Sequence, residues 1–389
     1  MTHPQIVRRA RFPSKRPQGG GRGRRGRCSQ RLPARLPCVD PNRERWSGCT
    51  AIGGRDARHS LRARRRGSQR AVQRFRISPW HERQSAGRAQ AERRLVAVLA
   101  WLWDAVAGPV LDRLGVRALS GEPLPRLWWC VSGLLSFLPL HAAGYHDTRS
   151  DSVPQTVIDR VVSSYTPTIR ALAHARRARP PDHDSRGMVG RGYQVVVVAM
   201  PNTPHDRDLP AANAELELLQ KRLPGRVMTL DGSRATHDAV LAALPTTRWA
   251  HFACHGSNNP INPSASCLLL SDYEQRPLTV VDVARLRLDD ADLAFLSACS
   301  TARPSALLAD EAIHLASAFQ LAGYRHVIGT LWSIGDQNAV DLADKFCEKL
   351  SSAGTAESAA TELHTATRRL RDLWPQTPSI WASHVHCGP

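Results

Sequence analysis

His255 and Cys299 are the residues whose types and setting most directly suggest chemistry. Each follows a short apolar segment: Arg248–Cys254 (RWAHFAC) runs into His255-Gly256-Ser257, and Asp292–Ala298 (DLAFLSA) runs into Cys299-Ser300-Thr301. A thiol beside an imidazole is what attack on a peptide carbonyl requires, because the imidazole forms or holds the thiolate and later protonates the leaving amine. Gly256 allows the backbone to turn and approach a substrate, so its N–H and that of Cys299 are candidate oxyanion donors. His251 shares the parity of His255 along the same segment and reads as a structural partner. Cys254 points the other way and reads as core packing.

Four further positions are candidates for the substrate pocket. Asp310 and Glu311 stand at the start of a helix, where an acid suits the dipole. Alternatively, one of them lines a pocket that reads Arg or Lys before the cut. Trp332 and Ser333 follow a strand and are candidates for a pocket wall. His251, Cys254, His255 and Cys267 have zinc-ligand types but no C-x-x-C pair or recognised zinc spacing. His384, His386 and Cys387 alternate on one strand-like segment, which could bind a metal or could pack structurally beside the active-site loops. No metal and no cofactor is expected.

The elements that must position this pair alternate in type. QVVVVA at 194–199 reads as a strand buried on both faces. A helix follows at 211–223 with Leu216, Leu219 and Leu223 on one face, then a strand at 226–230, a helix at 236–244 and the two segments that end at His255 and Cys299. Beyond them come a helix at 310–322, a strand at 325–331 and helices at 338–350 and 356–373. The upstream part reads as a helix over 95–114 broken at Gly108-Pro109, with strands at 127–131 and 157–165. Alternating strands and helices predict an α/β three-layer sandwich, a mainly parallel sheet covered by helices on both faces. In such a sheet, reactive groups gather beyond the carboxyl ends of the strands. The two reactive residues therefore meet only if the strands ending at Cys254 and Ala298 are neighbours.

WAHFACHG at 249–256, LAFLSACSTA at 293–302 and DEAIHLASAFQLAGYRHVIGTLW at 310–332 together resemble the CHAT domains, caspase- and separase-like peptidases often attached to tetratricopeptide repeats. LWDAVAGPVLDRLG, LWWCVSGLLSFLPLHAAGYH and the terminal WASHVHCG are similar to that family's flanking elements, and the 44-residue separation of His255 from Cys299 is near the His-before-Cys spacing of caspases. The resemblance implies a caspase-like fold and a cysteine endopeptidase acting on a protein substrate in a bacterial regulatory or defence pathway. It also implies an upstream repeat or sensor protein, whose usual place here holds a different sequence. A non-catalytic interaction module of the same fold is the alternative.

That different sequence is strongly basic. The chain of 389 residues carries a net +19, but residues 1–94 hold 26 basic and 5 acidic side chains, which leaves the remainder at −2. Residues 1–93 read as an Arg-rich disordered segment with no helical or strand period. It can be a nucleic-acid-binding tail, a solvated tail, or GC-rich DNA translated from the wrong start or frame. Nucleic acid is otherwise not an expected partner. Residues 94–389 are the expected peptidase domain, with 94–190 as a flanking part and 191–389 as the catalytic part. Nine cysteines at irregular spacings, no leader at Met1, and apolar runs too short to span a bilayer suggest a reducing, cytoplasmic setting without a membrane.

Overall fold

The computed structural model describes residues 85–117, 123–176, 194–259, 261–298, 301–302, 314–353 and 356–389. The expectations for residues 1–84, for Cys299 and for Asp310 and Glu311 lie outside the described residues.

The run Val195–Ala199 is buried at every position, as a strand covered on both faces should be. In chain order the strands are β1 (Arg126–Trp129), β2 (Val162–Tyr165), β3 (Val195–Ala199), β4 (Val227–Asp231), β5 (Trp249–Ala253), β6 (His255–Ser257), β7 (Cys267–Leu269), β8 (Leu278–Thr279), β9 (Leu293–Leu296), β10 (His326–Thr330) and β11 (His384–Cys387). Eight of them form one sheet in the order β1-β2-β11-β10-β9-β5-β3-β4, while β6, β7 and β8 form a small antiparallel sheet. Within the large sheet only the β10–β11 pair is antiparallel. The sheet takes β1 and β2 from the flanking part and six strands from the catalytic part, so hydrogen bonding is continuous across residue 190.

Among the helices are α1 (Ser85–Leu102), α2 (Ala211–Arg222), α3 (His237–Ala243), α4 (Leu315–Ala322), α5 (Asp336–Ala353) and α6 (Ala359–Leu373). Adjacent residues of β5 show that both faces are covered. His251 reaches Glu215 on α2, whereas Phe252 meets Phe319 on α4 with ring centroids 5.3 Å apart. Because successive strand residues point to opposite faces, α2 and α4 lie on opposite sides of the sheet. α5 packs beside both α2 and α6.

The flanking part departs from the sequence expectation. The helix expected from Leu95 begins at Ser85, because Ala91 and Glu92 are buried and Glu92 accepts hydrogen bonds from the backbone N–H and hydroxyl of Ser379. A π-helical turn at Trp103–Ala107 takes up the irregularity before Pro109, so helix resumes over Gly108–Leu114 instead of stopping. The run Gly87–Leu114 is therefore 28 residues long and, by length and composition, could cross a membrane, unlike the shorter apolar runs read from sequence. Its Leu99, Leu102 and Leu111 are fully buried in the core. The strand expected over 157–165 is restricted to Val162–Tyr165, since residues 157–161 carry Asp159 into an ion pair.

That ion pair fastens the flanking part to α6. Arg371, at 1% exposure, places Nη1 and Nη2 at 2.7 and 2.9 Å from the two oxygens of Asp159, which also accepts from Thr156. Burial alone would raise the Asp159 pKa, but hydrogen bonds from Arg371 and Thr156 outweigh it and hold the carboxyl below its usual range. Arg371→Leu removes both guanidinium hydrogen bonds and leaves the buried carboxylate with Thr156 and the half-exposed Arg368, 3.4 Å away, an expected cost of about 1–3 kcal/mol. Urea denaturation of the full chain checks this; a loss below about 1 kcal/mol would mean that solvent reaches Asp159.

Candidate functional site

β5 and β9 are parallel neighbours in the register Trp249↔Leu293, Ala250↔Ala294, His251↔Phe295 and Phe252↔Leu296. Each pair differs by 44 in number, the separation of His255 from Cys299. The condition set by the sequence, that the two strands lie side by side, is met. Cys299 is outside the described residues, but the positions on both sides of the 299–300 gap, Ala298 and Thr301, are fixed.

The chain leaves the large sheet at a bend on Cys254, and His255 opens β6 opposite Leu269. Gly256 continues β6 opposite Leu268 and is not among the glycines with positive φ. The sharp turn expected of Gly256 therefore falls two residues earlier, at Cys254. His255 is 6% exposed, and its Nε2 lies 2.8 Å from the carbonyl oxygen of Arg207. A carbonyl can only accept, so Nε2 carries the proton and Nδ1 is the basic nitrogen of the neutral ring. The loop that brings this carbonyl is tied at several points: Leu209 N–H donates to Pro201 O, Asn202 to Asp208, and the Tyr273 hydroxyl to Pro204 O.

The turn beyond β9 is held by β10. The Thr330 hydroxyl donates to Ala298 O at 2.5 Å and accepts from Thr301 N–H at 3.4 Å, while Thr330 N–H donates to Thr301 Oγ1 at 3.0 Å. One side chain thus grips the backbone on both sides of residues 299 and 300. Neighbouring Gly329 permits this closeness, since a Cβ there would sit 3.1 Å from Ala302 Cβ and 3.2 Å from Thr301 Oγ1. Thr330→Val keeps the shape and loses the hydroxyl. It is expected to lower stability by about 1–3 kcal/mol, since Ala298 O and Thr301 N–H lose their partner in a buried setting, while Thr330→Ser retains most of it. Urea denaturation of both variants checks this; an unaffected Thr330→Val would remove the side chain from the positioning role.

A cleft opens beside these elements, and His255, Ala298, Trp332 and Ser333 all line it. Trp332 is 6% exposed and its indole N–H donates to Ser379 O at 3.0 Å, which fixes this wall. His251, Cys254 and Cys267 are buried; His251 bonds to Glu215 at 2.6 Å. Burial pushes the Cys267 thiol up, and those of Cys347 and Cys387 up to about 12, which leaves these three thiols unreactive near neutrality. Among the described residues no group of three or more His, Cys, Asp or Glu side chains is arranged to hold a metal. His384 and His386 lie on buried β11; His384 lines the cleft, and His386 bonds to Ser164 and His326.

A model of the CHAT domain matches residues 96–389. The chain belongs to the CHAT family. Its CHAT domain has the α/β architecture expected from the sequence, a mainly parallel sheet with helices on both faces. Solved structures similar to it include the separase–securin complex of Saccharomyces cerevisiae, at 14% identity over 69% of this chain and 16% of that one with a TM-score of 0.44. The Arg-specific cysteine proteinase gingipain R is similar at 12% identity over 73% of this chain and 67% of that one, with a TM-score of 0.48. The CHAT-containing chain thus spans about a sixth of the yeast separase chain. A search of curated protein sequences finds no match.

Three residues that line the cleft escaped the sequence reading. The Arg207 carbonyl belongs to the backbone and leaves no side-chain signature. Asp336, half-buried in the first turn of α5, lines the cleft, but the helix was expected to begin two residues later. Glu215 did leave a signal: it falls on the stripe of Ala212, Leu216 and Leu219, where an apolar residue belongs.

Proposed function

We propose that the chain is a cysteine endopeptidase acting on a protein substrate, in which Cys299 is the nucleophile and His255 the acid–base. The observation that carries this reading is the side-by-side pairing of β5 and β9 together with a His255 ring whose Nε2–H is committed to Arg207 O. With Nε2–H so engaged, Nδ1 is the ring nitrogen assigned to take the thiol proton. The Cys299 sulfur then forms a bond to the substrate carbonyl carbon, and the oxygen gains negative charge next to the N–H groups of Gly256 and Cys299. As the oxyanion collapses, the C–N bond breaks and Nδ1–H protonates the departing amine. A water molecule, deprotonated by Nδ1, attacks the thioester; the C–S bond breaks, and the acid product and the thiol are released. The residues named require no cofactor.

The cleft wall gives a substrate preference. Asp336 is an acid in reach of the cleft, so we assign it, beside Trp332 and Ser333, to a pocket for an Arg or Lys side chain before the cut. One of Asp310 and Glu311 is a further candidate for the same pocket. The substrate is placed in a bacterial regulatory or defence pathway, in the cytoplasm, with an upstream sensor protein as the controlling partner.

The test is cleavage of fluorogenic peptides ending in arginine, lysine or alanine by the full chain. Arginyl and lysyl peptides are expected to be cut and the alanyl peptide cut poorly, with no turnover by Cys299→Ala. Asp336→Asn is expected to lower kcat/KM for the basic peptides by about tenfold or more, the scale of a lost charge-assisted contact. Undiminished cleavage by Cys299→Ala would refute the nucleophile, and no cleavage of any peptide by the wild type would favour a non-catalytic CHAT module.

A further inference from the structure

Beneath the cleft lies a buried carboxylate that the mechanism above does not use. Glu215 is 2% exposed on α2, and both of its oxygens are engaged by the sheet. Oε2 lies 2.6 Å from Nε2 of His251 on β5, and Oε1 accepts from the Ser297 hydroxyl at 2.8 Å, just past the end of β9. His251 also stacks on Phe295, its register partner on β9, with ring centroids 4.9 Å apart and planes 11° from parallel. Ser297 precedes Cys299 by two residues, and His251 precedes His255 by four.

We propose that Glu215 is a positioning residue for catalysis: its buried carboxylate ties β5 to the end of β9 and so fixes the separation at which His255 meets Cys299. The inference rests on the peptidase reading. A buried carboxylate is costly to desolvate, and at this core-facing position of α2 a leucine would continue the stripe. Two charge-assisted hydrogen bonds offset that cost, and both go to the strands that carry the reactive pair. Backbone pairing between β5 and β9 stops at Phe252↔Leu296, so the Glu215–Ser297 bond acts beyond the last paired residues, where the strands would otherwise be free to splay. A shift of about 1 Å between reacting groups can cost about a hundredfold in rate.

The role is geometric, so shape should matter more than charge. Glutamine at 215 can accept from His251 with its oxygen and donate to Ser297 with its amide, which keeps both links. Alanine keeps neither, and Ser297→Ala removes one link while leaving α2 and its core contacts in place.

The experiment is the rate at which iodoacetamide alkylates Cys299 in the full chain, measured by peptide mapping against exposed Cys130 as internal reference, together with kcat and KM on an arginyl peptide. Glu215→Ala and Ser297→Ala are expected to lower the Cys299-to-Cys130 rate ratio and kcat by about 10- to 100-fold with KM within about twofold. Glu215→Gln should return both to within about threefold of wild type. Melting curves confirm that each variant is folded at the assay temperature, and if Glu215→Ala is not, Ser297→Ala carries the test. Wild-type Cys299 reactivity and kcat in folded Ser297→Ala would overturn the proposal. So would a Glu215→Gln variant as impaired as Ser297→Ala, since charge rather than position would then be the contribution. If wild-type Cys299 is no more reactive than in His255→Ala, the peptidase reading itself fails and the positioning role falls with it.

Discussion

His255→Ala is expected to lower kcat on an arginyl peptide by about 10²- to 10⁴-fold, the range that a positioned acid–base contributes. The ring is nearly buried, and Arg207 O fixes its tautomer. Deleting it removes the proton acceptor for the Cys299 thiol and the proton donor for the leaving amine together, so acylation should be slowed most. The loop over 201–209 has its own ties to Pro201 and Tyr273, and the variant should keep its fold. Steady-state kinetics beside a melting curve measures both. A fall of less than tenfold in a folded variant would mean that another group moves the proton.

Acidification should unfold the domain well before its carboxylates titrate. Burial lowers the pKa of His141 to about 3 and those of His146, His326, His364 and His384 to about 4. These rings surround β2, β10, β11 and α6. Burial also holds His386 well below its usual value, with His326 and Arg126 adding to the effect. Arg368 and Arg371 face His364 and add to its depression, whereas Asp159 opposes it. Because the folded values are depressed, stability is full above about 6.5 and is lost as pH falls through the window from 6.5 towards 4, where the unfolded chain takes up protons and the folded chain does not. One pKa unit corresponds to about 1.4 kcal/mol, and a domain is typically stable by only about 5–15 kcal/mol. Each such histidine can therefore remove about 3 kcal/mol by pH 4, so several together reach the scale of the whole stability. Glu92 acts in the opposite direction, since burial raises its pKa and its protonated form is favoured in the fold, but it is a single group. Urea midpoints at pH 7, 6 and 5 should fall progressively; a flat profile down to pH 4.5 would show that water reaches these rings.

How far the sequence could be read depended on which interaction decided each feature. The all-apolar run Val195–Ala199 and the apolar segments before His255 and Cys299 announced a sheet buried on both faces, because strand period and burial are both local properties. That β5 and β9 are adjacent could only be set as a condition, since it depends on packing between segments more than 30 residues apart. The early start of α1 escaped notice because Ala91 and Glu92 look like part of an arginine-rich stretch until Ser379, nearly 290 residues later, supplies Glu92 with partners. Trp332 and Ser333 line the cleft, a position legible from their place shortly after the end of β10. The Arg207 carbonyl was invisible for the opposite reason: its contribution is a backbone atom positioned by a loop. Glu215 could have been found, since an acid on an apolar helical stripe conflicts with burial unless a partner waits for it.

The most direct measurement of the central claim is active-site labelling of the full chain with an arginyl chloromethyl ketone, followed by peptide mapping of every cysteine. The reagent needs both a pocket for a basic side chain and a thiol activated by an imidazole, so exposure alone does not attract it. Exposed Cys130 should therefore stay unmodified, as should buried Cys254 and Cys267. A single label on Cys299 is expected, with loss of peptide cleavage in step with labelling and little labelling in His255→Ala. A label on any other cysteine, or equal labelling of Cys299 with and without His255, would contradict it.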